Sequence, residues 1–361
     1  MADVQRYVPI LKGKEGEFSA LETLNADVRR LVLPLIEVPP VPYDYANDRP
    51  AKSLEDHVSG IAQRLMRCWK DDPIYVELPW LGEEQYLSDG TLAVTAVLGD
   101  CRAAQLQAIP VITRESTSDL RSAAGRHAST CKSGVCIRLT VDDFGEEVDI
   151  DSEITAILEA VSLKPRHIDI LLDLKEIGTE GKELLVTRYM LNTLPDVDQW
   201  RRVTIAGASF PEDLSDVRAD ATEKLPRSEW DLWRAIKSKP QKLPRKDLLF
   251  GDYAISHPIP KELDPRIMRM SASIRYSTQT SWLVLKGRNV REYGFEQYFE
   301  LSSLLVQRPE FAGADFSWGD AYIQKCARHE SGPGNATTWR KVGTNHHLTL
   351  VARQLEGEGV S

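Results

Sequence analysis

The sequence predicts an α/β fold: a (βα)8 barrel of the TIM type, with a β-hairpin inserted after the eighth strand and a C-terminal helical and loop extension. Two observations carry this expectation. Short apolar runs recur eight times between Tyr7 and His257, each closing on charged or polar residues. Segments with helix-start signals fill the intervals, and this alternation is what a parallel barrel requires. A third observation is length. The chain has 361 residues, enough for a barrel of about 250 residues and an appendage of about 100.

The runs, in order, are YVPILKGK (7–14), LVLPLIEV (31–38), PIYVELP (73–79), IPVITRE (109–115), GVCIRLTV (134–141), IDILLDLKE (168–176), RVTIAGASF (202–210) and LLFGDYAIS (248–256). Pro110 and Gly134 suit strand starts. Between the runs, Ser53 is positioned to cap SLEDHVSGIAQRLMRCW, with Asp56 three residues on and Leu54, Val58, Ile61, Leu65 and Met66 on one face. Asp151 or Ser152 starts EITAILEAV, and Pro165 ends it. Ser228 caps EWDLWRAIKS, where Trp230 and Trp233 at helical spacing read as packing residues. The expected barrel core is 1–258. The remainder, 259–361, packs on it as part of one structural unit. It begins with two β segments around a polar turn in SASIRYSTQTSWLVLKGR (271–288). FEQYFELSSLLVQ then reads as the eighth barrel helix, and WGDAYIQKCARHE as a further helix. SGPGNATTWRKVGTNHHL reads as a glycine- and proline-rich loop.

Composition narrows the class. Hydrophobic residues make up 42% and charged residues 27%, as in an ordinary globular chain. No apolar run approaches the ~20 residues of a membrane helix, and MADVQRYVPI lacks the form of a secretory leader. The cytoplasm is therefore the expected compartment. Five scattered cysteines without CxxC spacing imply neither a disulfide framework nor a zinc site. A net charge of −9 argues against broad nonspecific binding to nucleic acid, which depends on phosphate neutralisation.

Strand parity nominates the chemistry. In the fifth run Val135, Ile137, Leu139 and Val141 share one face, so Arg138, Thr140 and Asp142 point into the barrel. In the sixth, Asp169, Leu171, Asp173 and Lys175 point inward. The same logic places Lys12, Glu37, Glu77, Arg114 and Asp252 inward or at the mouth. The catalytic candidates are Glu37, Glu77, Asp173 and Lys175. Their carboxylates suit acid–base chemistry or a hard divalent cation such as Mg2+. The candidates for holding an anion are Lys12, Lys14, Arg114, Arg138, Arg275 and Arg340. The structural alternative is an internal network, Arg138 with Glu77 and Lys175 with Asp173, because buried charge is costly unless paired.

His346 and His347 complete the candidate set. They lie with Trp339, Arg340 and Asn345 in TTWRKVGTNHHL. The segment is expected to fold over the mouth, bringing Arg340 and one imidazole to the polar region. An imidazole among carboxylates favours its protonated form, which predicts binding that changes around pH 6–7. GxSxG, HExxH and GxGxxG motifs are absent from the sequence.

The opening YVPILKGKEGEFSAL, the LPLIEV of the second strand and the ending SWGDAYI…GPGNATTWRKVGTNHHLTLVARQL resemble the "beta protein" family of bacteria and phages. The resemblance covers nearly the whole chain. It implies that the C-terminal motif and the barrel form one unit, and it suggests a role in phage–host conflict. It supplies no catalytic residues.

Two functions follow. One is a recognition or regulatory protein whose polar barrel mouth takes a small anionic ligand, or which binds a protein partner. The other is a metal-assisted hydrolase or phosphodiesterase acting on a small phosphorylated substrate. An open pocket around Glu37, Glu77, Asp173 and Lys175 would mark the enzyme. A closed, mutually paired cluster would mark recognition.

Overall fold

Eight short, largely apolar strands close into an all-parallel barrel in the computed structural model. The model describes residues 5–80, 86–259 and 270–358. The strands are β1 (Tyr7–Leu11), β2 (Leu35–Glu37), β3 (Ile74–Glu77), β4 (Ala108–Thr113), β5 (Val135–Thr140), β6 (Ile168–Glu176), β7 (Arg202–Ala208) and β8 (Leu248–Asp252). Each of the eight expected runs overlaps one of them. β1 closes the barrel by pairing with β8 (Tyr7 opposite Phe250) and with β2 (Ile10 opposite Leu35).

Alternation along the strands builds two cores. Val8, Ile10, Leu35, Tyr75, Ile109, Cys136, Leu171 and Tyr253 fill the interior. Residues of the other parity, among them Ile36, Val76, Ile137, Ile170 and Phe250, pack against the helices. Complete burial of such a side chain contributes about 1.5–3 kcal/mol. The helix signals hold in part: Ser228 is the first residue of its helix, Ser228–Lys237, and does not cap it. Ser53 accepts from the Asp56 amide. Its helix is broken into Leu54–Val58 and Ile61–Cys68. Asp149, not Asp151 or Ser152, caps Ile150–Val161. Trp230 and Trp233 meet Phe250 edge-on at 5.4 and 5.6 Å, so they are packing residues.

The segment after the barrel differs from expectation in three respects. The hairpin is present as Ser271–Ser277 and Ser281–Asn289, but it belongs to a three-stranded antiparallel sheet. The third strand, Ala221–Pro226, comes from the connection after β7 and pairs with Ser281–Lys286. The helix Gln297–Val306, read from FEQYFELSSLLVQ as the eighth barrel helix, packs on this sheet instead. The eighth position belongs to Ala336–Glu358, a 23-residue helix running through the whole stretch read as a loop. Its Leu348, Val351, Ala352 and Leu355 join the barrel's outer core, while Trp339 and Val342 join the core of the small sheet. One helix therefore ties both units together.

Gly134, just before β5, has φ +75°, and a Cβ there would lie 2.3 Å from the His167 carbonyl oxygen. Both the backbone region and the space exclude a side chain. Gly134→Ala is expected to cost well over about 1 kcal/mol, read as a lowered denaturation midpoint.

Candidate functional site

β1, β2, β3, β5 and β6 each carry one charged residue at the C-terminal end of their inward parity: Lys12, Glu37, Glu77, Arg138 and Asp173. All five are at most 5% exposed. The Arg138 guanidinium sits among the three carboxylates. It donates to Glu37 at 2.9 Å, to Glu77, and through Nε and Nη2 to Asp173 at 3.0 and 2.7 Å. Lys12 donates to Glu37 at 2.5 Å and to the Pro258 carbonyl at 2.5 Å. Tyr253 receives a bond from Arg138 and donates to Asp173 at 2.7 Å. Lys175, half-exposed and with φ +56°, reaches Asp173 at 2.9 Å.

Three cations thus meet three carboxylates, and the cluster is neutral. Burial opposes ionisation of Asp173, but Arg138 and Lys175 outweigh it and hold the carboxyl well below its usual range. Burial raises Glu77, Arg138 opposes the shift and Glu37 adds to it; the net direction is up. Lys12 is lowered because burial outweighs its attraction to Glu37. Arg138 is raised, its carboxylate partners overcoming the cost of burial. The guanidinium occupies the place between the carboxylates that a metal ion would take. Among the described residues, no group of three or more His, Cys, Asp or Glu side chains is placed to hold a metal.

Several expected site residues lie elsewhere. Arg114 pairs with Asp143 at 2.6 Å, in the turn after β5 and outside the cluster. Asp142 is exposed in that same turn. Asp252 shares its parity with Phe250 and so faces the helix layer; the inward residue at the end of β8 is Tyr253. Neither histidine reaches the mouth. His347 is fully buried, with Nε2 2.8 Å from Asp252 and Nδ1 2.7 Å from the Ser277 hydroxyl. His346 lies between Asp320 and the Ser277 carbonyl, both at 2.8 Å, and stacks on Tyr276. Burial lowers the His347 pKa against the pull of Asp252, so its protonated form is disfavoured, contrary to the sequence expectation.

Arg275 and Arg340 do come together, with Lys14, on the β7–β8 side of the mouth. Arg275 Nη1 donates to the Ile255 carbonyl at 2.9 Å, and its guanidinium lies 4.7 Å from the Phe210 ring centre. Among the described residues no carboxylate pairs with it. Burial, with Arg340 nearby, lowers Arg275 to about 10, so it remains charged at neutral pH. Arg340 donates to the Ser256 hydroxyl at 3.1 Å and to Glu17 at 3.4 Å. Lys14 lies within electrostatic reach of both arginines. Glu17 also accepts from the Lys14 amide at 3.0 Å. Among the described residues, three cations here gather beside one carboxylate, Glu17, unlike the balanced cluster beside them. Phe210, Ser256, Glu17 and Tyr253 went unnamed from the sequence. Only Tyr253 left a signal there, the opposite parity to Phe250.

A family model described as "Beta protein" matches residues 7–353. No curated protein matches the sequence. Among solved structures, the triosephosphate isomerase of Bartonella henselae is similar at 10% identity. The match covers 70% of this chain and 93% of that one, with a TM-score of 0.37. The barrel assignment rests on this chain's own strand pairing. No helix among the described residues is long and apolar enough to cross a membrane.

Proposed function

The chain belongs to the Beta protein family, whose model spans barrel and C-terminal unit together; from that premise we propose that it is a recognition or regulatory protein holding a small anionic ligand at the barrel mouth. The ligand site is formed by Lys14, Arg275, Arg340 and Ser256. One observation carries this reading: Arg275 is a partly buried, charged guanidinium whose partners among the described residues are only a carbonyl and an aromatic ring. Withdrawing a charge without a counter-ion is costly, and a bound anion removes that cost. Phe210 follows β7, and Ile255 and Ser256 follow β8. The loops after strands 7 and 8 are where barrels commonly bind phosphate. The Arg138 cluster beneath is the neutral floor of the site. Its closed pairing favours recognition over catalysis. The phage–host setting enters through the family resemblance.

The hydrolase or phosphodiesterase reading has one observation in its favour, the raised pKa of Glu77, which suits a general acid. The same carboxyl is bonded to Arg138, so it is not presented to a substrate.

The test is calorimetric titration with inorganic pyrophosphate. Arg275→Met and Arg340→Gln are each expected to weaken mouth binding by roughly tenfold or more, the loss of one charge-assisted contact. Unchanged affinity in both variants overturns the reading.

A further inference from the structure

One carboxylate sits among the cations of the proposed mouth site. Glu17 is 1% exposed and belongs to the helix Glu15–Glu22. Its Oε2 accepts from the Lys14 amide at 3.0 Å, and its Oε1 accepts from Arg340 Nη1 at 3.4 Å. The same Nη1 donates to the Ser256 hydroxyl at 3.1 Å. Both side-chain contacts of Arg340 therefore fall on one nitrogen, and its Nε and Nη2 carry no bond among the described residues. That edge of the guanidinium is the planar pair of donors that matches phosphate oxygens. The Lys14 ammonium feels Arg340, Glu17 and Arg275 at once.

The backbone keeps Glu17 beside Arg340. Gly16 lies against the helix Ala336–Glu358: a Cβ on it would stand 2.7 Å from the Thr337 carbonyl oxygen and 2.9 Å from Arg340 Cβ. With the two helices in such close approach, any change of partner is a side-chain event. A buried carboxylate is costly unless it is paired, so in the empty site Glu17 depends on Arg340. An incoming anion is attracted by Arg275, Lys14 and Arg340 and repelled by Glu17. In a partly desolvated site, unit charges a few ångströms apart interact strongly enough to change an affinity severalfold.

Building on the mouth reading above, we propose that Glu17 is a resident counter-ion that competes with the ligand for Arg340. Binding is then an exchange. The ligand anion takes over the guanidinium, and its release returns Arg340 to Glu17. The carboxylate stabilises the empty site and limits its affinity. Occupancy stays reversible, which suits a recognition protein that follows changes in ligand concentration.

The experiment is calorimetric titration of the full chain with pyrophosphate. Glu17→Gln keeps an oxygen acceptor for the Lys14 amide and removes the charge. It is expected to bind roughly threefold or more tighter than wild type. Replacing a residue that only supports the fold would not tighten binding. If Glu17→Gln disturbs folding by leaving Arg340 unpaired, the Arg340→Gln background makes the same comparison. There the single variant leaves Glu17 uncompensated beside the ligand, so the double variant should bind roughly threefold or more tighter than Arg340→Gln alone. Unchanged or weaker affinity in a Glu17→Gln variant that melts like wild type overturns the inference, as does a double variant no tighter than Arg340→Gln. If Arg275→Met weakens binding while Glu17→Gln does not tighten it, only the role of Glu17 falls. If neither Arg275→Met nor Arg340→Gln alters the affinity, the mouth site falls and takes the counter-ion with it.

Discussion

Arg138→Met is expected to leave the barrel unfolded at neutral pH. The substitution keeps the volume but strands Glu37, Glu77 and Asp173 together in the interior, where each is at most 5% exposed. Breaking a single buried pair costs about 3–5 kcal/mol. Here one guanidinium serves three carboxylates, and a whole domain is stable by only about 5–15 kcal/mol. The pH response gives a second readout. Without Arg138, burial and mutual repulsion raise the folded pKa values of the three acids above their unfolded values. The variant should therefore gain stability as pH falls from 7 toward about 4. Wild type should do the opposite at low pH, because Asp173 is held below its usual range and its contribution disappears on protonation. Urea midpoints measured from pH 7 down to about 2 check both signs, the loss from Asp173 falling below about pH 4. A variant as stable as wild type at pH 7 would show that the cluster does not support the barrel.

The second large effect concerns His347, which joins the C-terminal helix to β8 and the hairpin. The neutral ring donates from Nε2 to Asp252 and accepts at Nδ1 from Ser277, and it stacks on Trp282 at 4.9 Å. Tyr7 and the Ala254 amide also donate to Asp252. His347→Ala removes the ring, opens a cavity and leaves Asp252 short of a donor. A loss of about 3 kcal/mol or more is expected, in the range of large-to-small core changes. The folded pKa of His347 is depressed below its unfolded value of about 6.5. Its contribution is therefore full above about pH 6.5 and declines as the pH falls from there toward the folded value. His347→Gln retains a donor but does not titrate, so its stability should fall less steeply than that of wild type between about pH 6.5 and 5. Parallel slopes for the two proteins would mean that folding leaves the His347 pKa unshifted.

Much of the barrel was legible because its strands are buried on both faces and stop at charged ends. Parity alone placed Lys12, Glu37, Glu77, Arg138 and Asp173 in one interior cluster, since inward residues of neighbouring strands must meet. Asp252 broke the rule for a physical reason. Its partner, His347, arrives from a distant helix, so an outward carboxylate is satisfied where strand logic alone would not place one. That helix was itself hidden. Gly343, Thr344 and Asn345 are weak helix formers, and here tertiary contacts justify them. A Cβ on Gly343 would lie 2.9 Å from Ile255 Cδ1 and 3.0 Å from the Arg275 carbonyl oxygen. The Asn345 side chain bridges the Gly319 amide and the Ala20 carbonyl. The strand Ala221–Pro226 was missed because it is short, largely polar and defined by its pairing with the hairpin. The proposed anion site at the mouth depends on Arg275 and Arg340 meeting across two elements, a distance that sequence spacing does not encode.

The helix Ala336–Glu358 covers β1 and the helix Glu15–Glu22, yet it is synthesised after all the other elements described. During translation, β1 can pair with β8 only after Asp252 has emerged, and its outer face stays uncovered until the chain reaches the region of Leu355. Closure of the barrel is therefore a late event on the ribosome, set by contacts of very high sequence separation. A chain stopped short of Leu348 would expose the apolar flank of Tyr7 and Phe250 and lose the His347 contact. Such nascent or prematurely terminated chains are the forms that chaperones and proteases would meet.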